Sequence, residues 1–113
     1  MLKIYQKKTC VTCKKALAYL DAQGIDYEAI DIEKQPPSAM VLKKLVDPKN
    51  IKASLNTRSA IYKAKNLGAD KVSTEQIFAL MQEDPNLIKR PVLIKDGKAI
   101  LGFDEAEYKA FLN

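Results

Sequence analysis

Cys10 and Cys13 are the two cysteines of this chain, and two residues separate them in the stretch KKTCVTCKK, residues 7 to 15. A short apolar segment precedes them and an alanine- and leucine-rich segment follows. If Cys10 caps that second segment as a helix, Cys13 lies one turn inside and the two sulfurs share a face. The pair can then form and break a disulfide. Unpaired N–H groups and the dipole at a helix N-terminus favour a thiolate, and Lys7, Lys8, Lys14 and Lys15 add positive potential of the same sense. Cys10 is therefore the expected nucleophile. Cys13, further from those N–H groups, is the expected resolving thiol.

Other uses of the pair have weaker grounds. A structural disulfide is not expected, because Met1 leads directly into strand-like sequence with no signal peptide pattern. A zinc site would need two carboxylates, since the chain has no histidine and no third cysteine. Two buried structural thiols remain the plain alternative, and Lys14 and Lys15 read equally well as solvated helix residues.

The elements that must position this pair belong to a chain of 113 residues, 47% apolar and 29% charged, with a net charge of +5. One domain with its own core is expected over 1–113, monomeric and cytoplasmic, with no membrane span. Of the 19 basic residues, 17 are lysines scattered along the chain, and no aromatic-interleaved basic motif points to direct nucleic-acid binding. The two arginines, Arg58 and Arg90, offer planar forks suited to an oxyanion. With Thr12 and Lys14 beside the cysteines, they are the candidate anion-binding residues. Arg58 also reads as a surface residue or a carboxylate partner.

In chain order, Leu2 to Tyr5 reads as a buried strand. The helix from Cys10 carries Cys13, Ala16, Leu17 and Leu20 on one stripe and stops at Gly24. Ile25 to Ile32 reads as a second strand, parallel to the first across a right-handed crossover. From Ser38 to Leu87 the pattern is helical. Ser38 caps a helix ending before Pro48, Asn56 or Thr57 caps one running to about Asn66 with Gly68 beyond, and Ser73 with Gln76 forms a capping box. This block reads as an insertion packed on the sheet. Arg90-Pro91 then leads into Val92 to Ile94, Asp96-Gly97 signals a tight turn, and Ala99 to Leu101 returns as the hairpin partner. Asp104 and Glu107 form a capping box for a last helix through Tyr108, Phe111 and Leu112. The expected fold is α/β, a four-stranded mixed sheet with an all-helical insertion, about 38–87, between strands 2 and 3.

Cys-x-x-Cys after the first strand and a proline directly before the third resemble the thioredoxin superfamily. Within it the match is to the ArsC/Spx family, carried by Tyr5 through Ala16, Gly24-Ile25-Asp26-Tyr27, Pro36-Pro37-Ser38, Asn56-Thr57-Arg58, Leu87 through Ile94, Gly97 and Leu101-Gly102-Phe103. The resemblance implies a thioredoxin-like fold with a cis Arg90-Pro91 bond. It implies Cys10 as the nucleophile that attacks arsenate, with Arg58 and Arg90 holding the oxyanion. No bound cofactor is implied; glutathione with glutaredoxin, or thioredoxin, is the electron donor and protein partner. Where arsenate-specific members carry a third arginine, this chain has Phe103. Loss of one charge-assisted contact costs about 1.5 to 3 kcal/mol, or one to two decades in affinity.

Cys13 departs from members with a single active-site cysteine and permits an internal disulfide. A small or mixed disulfide is then as good a substrate as arsenate. The Spx branch of the family also has Cys-x-x-Cys, Thr-Arg-Ser and the arginine-proline block. Its members are redox-sensing regulators that bind the C-terminal domain of the RNA polymerase alpha subunit. Their polymerase contact involves a glycine before the Thr-Arg-Ser segment. Residues 47 to 54 here contain none. The sequence thus points first to an ArsC-type thiol oxidoreductase, with an Spx-like regulator as the alternative.

Overall fold

The computed structural model describes residues 2–46, 49–65, 67 and 73–112. The chain divides into two compact units, Met1–Asp31 with Arg90–Asn113, and Ile32–Lys89.

The first unit is built on a sheet of order β2-β1-β3-β4. Strand β1, Lys3–Gln6, turns Ile4 and Gln6 inward and leaves Lys3 exposed, the alternation of a half-covered strand. Helix α1, Val11–Ala22, follows with Cys10 as its N-cap. It buries Cys13, Ala16 and Leu20 on one stripe. Gly24 ends it at φ +67, with Gly24 N–H donating to Asp21 O (3.0 Å) and Ile25 N–H to Leu20 O (3.1 Å). These are the two bonds of a Schellman cap, which satisfy the last carbonyls.

That cap also shortens the next strand. Ile25 is still tied to the helix end, so pairing starts only where Glu28 N–H reaches Leu2 O, and β2 spans Glu28–Asp31 instead of Ile25 to Ile32. It pairs with β1 in parallel, and β3, Val92–Lys95, pairs with β1 antiparallel on the other side. Strand β4, Lys98–Leu101, completes the hairpin. Asp96 and Gly97 both have positive φ, 52° and 77°, the backbone of a two-residue type I′ turn that matches strand twist. The last helix of this unit, here labelled α5, covers Glu105–Leu112; Asp104 accepts from Glu107 N–H at its start, and Lys95 Nζ donates to Leu112 O at its end. Leu2, Ile4, Ala16, Leu20, Leu93 and Tyr108 form the core of the unit.

Between β2 and β3 lie the elements of the second unit: α2, Ala39–Leu45; a 3-10 turn, Ile51–Ser54; α3, Ala60–Ala64; α4, Thr74–Glu83; and a 3-10 turn, Pro85–Leu87. Ser38 caps α2, and the Ser73–Gln76 capping box is complete on α4. Two expectations change. An isolated antiparallel bridge, Leu55 to Ile88, lies in this stretch, so it is not purely helical. Asn56 does not cap α3, and neither does Thr57: Asn56 is still paired through its N–H to Leu87 O (2.7 Å), and its side chain accepts from Arg58 N–H and donates to Asn86 O. The chain turns at Thr57 and Arg58, and Ser59 in extended conformation is the cap, accepting from Tyr62 N–H. Pro48, Asn66 and Gly68 lie outside the described residues.

Candidate active site

A turn closed by Cys10 N–H to Lys7 O (3.0 Å) carries the chain from β1 into α1. Both cysteines are free thiols, Cys10 half-buried and Cys13 fully buried. Cys10 is extended at the N-cap, and Cys13 is the third residue of the helix. The two side chains are near enough for each to shift the acidity of the other, as the spacing predicts.

Their acidities move apart. Burial raises the Cys10 pKa, but the Cys13 N–H, the Cys13 thiol and the Arg90 guanidinium together outweigh it, and the net shift is downward. The sulfur makes no N-cap hydrogen bond of the ordinary oxygen type. Its thiolate is instead favoured by donors and a positive charge converging on it. Cys13 is pushed up to about 12, chiefly by burial and then by the neighbouring Cys10, against a lowering by the Lys7 N–H and Arg90. One thiol is thus poised to ionise and the other to keep its proton.

Arg90 precedes β3 across a cis bond to Pro91. It is half-buried, with its Nε shielded from solvent. Gly102 N–H donates to Pro91 O (2.8 Å), tying the end of β4 to the start of β3. Cys10, Cys13, Arg90 and Pro91 are therefore brought together within the first unit. Thr12 and Lys14 lie on α1 with exposed side chains. Arg58 is exposed on the Thr57–Arg58 turn of the second unit.

Phe103 is in ring contact with Tyr108 (4.9 Å, 90°) and Tyr19 (5.7 Å, 56°). The position expected to lack an anion donor thus serves the packing of α1 against α5. Sequence reasoning treated Tyr108 only as an apolar helix residue. It is fully buried, its phenol donates to Gly102 O (2.9 Å), and burial, with the charges of Cys13 and Glu107 adding, raises its pKa. A polar aromatic at a core position of a capped helix was the available signal. Among the described residues no group of three or more His, Cys, Asp or Glu is placed to hold a metal ion. No helix among them is long and apolar enough to cross a membrane.

A β-α-β unit extended by an antiparallel hairpin, with a dithiol at its first helix, is the thioredoxin-like fold. The ArsC family model matches residues 5–111, and the chain belongs to the ArsC family. Among its relatives, the global transcriptional regulator Spx of Listeria innocua serovar 6a is 29% identical over 99% of this chain and 87% of its own length. A possible arsenate reductase from Streptococcus mutans UA159 superposes with a TM-score of 0.82 at 34% identity, covering 98% of each chain. An arsenate reductase from Vibrio cholerae superposes with a TM-score of 0.74 at 30% identity, covering 88% of this chain and 87% of its own.

Proposed function

We propose that this protein is a cytoplasmic thiol-dependent oxidoreductase of the ArsC type, with Cys10 as nucleophile, Cys13 as resolving thiol and Arg90 as the charge that stabilises the reacting sulfur. The observation that carries this reading is the opposite displacement of the two thiol acidities beside one arginine. With a disulfide substrate, the Cys10 thiolate attacks one sulfur, an S–S bond forms to Cys10, and the other half leaves as a thiolate. Cys10 then carries no charge, and its raising effect on Cys13 is removed. Cys13 loses its proton to the departing thiolate and attacks the Cys10 sulfur; the second half leaves, and the protein holds an internal disulfide. Two electrons have passed to the substrate. Reduced glutathione with glutaredoxin, or thioredoxin, returns them.

Arsenate is the other candidate acceptor, supported by the names of the two reductase structures. Phe103, engaged with two aromatic rings, supplies no anion donor, which favours a small or mixed disulfide. The role of Arg58 in anion binding rests on the sequence resemblance, and those of Thr12 and Lys14 on their position beside the cysteines. Arg58→Ala, Thr12→Ala and Lys14→Ala each test one of them, and a variant with unchanged KM for arsenate would remove its residue from the anion site.

The test is NADPH consumption by the purified protein coupled to the glutaredoxin and, separately, the thioredoxin system, with arsenate and then a mixed disulfide offered. Turnover lost in Cys10→Ser, and a covalent mixed disulfide trapped in Cys13→Ser, is the expected result. Full activity in Cys10→Ser sinks the assignment.

A second reading is supported by the Listeria relative, a transcriptional regulator. On that reading the same dithiol is a redox switch controlling a contact with RNA polymerase, through the C-terminal domain of its alpha subunit. Capture of that domain by the reduced or the oxidised form alone, without turnover of either substrate, would favour it.

A further inference from the structure

Two hydrogen bonds link Tyr108 to the residue that follows Arg90. Tyr108 on α5 has no exposed surface, and its one side-chain polar atom donates to Gly102 O at 2.9 Å. Gly102, itself buried and held at φ +75, donates its N–H to Pro91 O at 2.8 Å. Pro91 has no N–H of its own, so the carbonyl bond to Gly102 anchors the residue that follows Arg90. The direction of the phenol is fixed in turn, because the Tyr108 ring stands edge-on to Phe103 (4.9 Å, 90°) and to Tyr19 (6.1 Å, 79°). Phenylalanine would fill the same space without a hydroxyl to desolvate. A tyrosine here therefore points to the bond it makes.

We propose that Tyr108 is a positioning residue for the candidate nucleophile: through Gly102 and Pro91 its hydroxyl holds Arg90 where the guanidinium faces Cys10. The proposal rests on Cys10 acting as the thiolate nucleophile. Cys10 is faced by the Cys13 N–H and thiol from α1 and by Arg90 from the approach to β3, and the Tyr108 hydroxyl feels the charges of Cys13 and of Glu107, the preceding residue of its own helix. Removing the hydroxyl leaves the buried Gly102 carbonyl without its donor and lets the Arg90-Pro91 segment shift, which weakens the positive field at the sulfur.

The experiment is the pH dependence of Cys10 alkylation by iodoacetamide, followed by mass spectrometry of the Cys10 peptide, in wild type, Tyr108→Phe and Tyr19→Phe. Wild type is expected to titrate below an ordinary thiol; an ordinary titration defeats the nucleophile reading and the inference with it. Given a lowered wild-type value, Tyr108→Phe is expected to titrate about half a unit higher, roughly a threefold loss of thiolate at neutral pH, while Tyr19→Phe matches wild type. A folded Tyr108→Phe protein with the wild-type midpoint overturns the inference alone, and so does an equal shift in Tyr19→Phe. If Tyr108→Phe does not fold, the wild-type protein decides: the Gly102 amide resonance is expected to move with the ionisation of Cys10, and an amide silent through that titration overturns the inference.

Discussion

At the scale of the residue, the proposed chemistry depends on a difference between two cysteines three positions apart. Helix geometry gives Cys10 the N-terminal end, where it is half-buried, and it buries Cys13 completely. Burial alone would raise both pKa values, so the lowering at Cys10 requires the donors of Cys13 and the charge of Arg90. Arg90→Ala should move the pH midpoint of Cys10 alkylation upward, because the folded thiolate loses its positive neighbour; an unmoved midpoint would remove Arg90 from the site. The CxxC spacing and the prominence of Arg90 among so many lysines were legible in the sequence. The acidity split was legible only in direction, since its size depends on how deeply α1 is covered. Tyr108 was not legible as a polar group, because a tyrosine at a core position reads first as apolar area.

At the scale of the element, local signals decided most boundaries. Ser73 and Gln76 close a capping box as their spacing requires, and Ser73→Ala should cost about 1 kcal/mol in denaturant unfolding. Asp96-Gly97 adopts two consecutive positive φ values, and Gly97→Ala should lower stability by roughly 1–2 kcal/mol through the left-handed penalty alone. Phe103 belongs to this scale too. Its contacts with Tyr19 and Tyr108 join α1 to α5, so Phe103→Ala should destabilise by about 2–3 kcal/mol, measured by the unfolding midpoint, whatever it does to turnover. Misjudged boundaries fall where a tertiary bond competes with a local one. Ile25 closes the cap of α1 before it can join β2, and Asn56 is held by Leu87 across the bridge, which leaves the capping of α3 to Ser59.

At the scale of the whole molecule, Cys13 and Tyr108 should make the fold sensitive to alkali. Both have folded pKa values above their ordinary ones, 9.0 and 10.0, with Cys13 reaching about 12. Folding therefore holds their protons more tightly than the unfolded chain does. The stability this contributes is intact below the ordinary values and is lost as pH rises through the folded ones. Cys10, shifted the other way, contributes stability that is present above 9.0 and lost as pH falls through its folded value. The melting temperature of the reduced protein should fall between about pH 9 and about pH 11, and Cys13→Ala should flatten that decline; an identical slope in the variant would show that Cys13 is not the group responsible. The sequence by itself determined the α/β class, the parallel crossover, the hairpin, the dithiol and the arginine-proline junction, because periodicity, caps and turn residues act over a few positions. Only the tertiary structure decided that Phe103 serves ring packing and that Tyr108 reaches Pro91 through Gly102. Those contacts join residues far apart in the chain, where no local pattern of residue types records who meets whom.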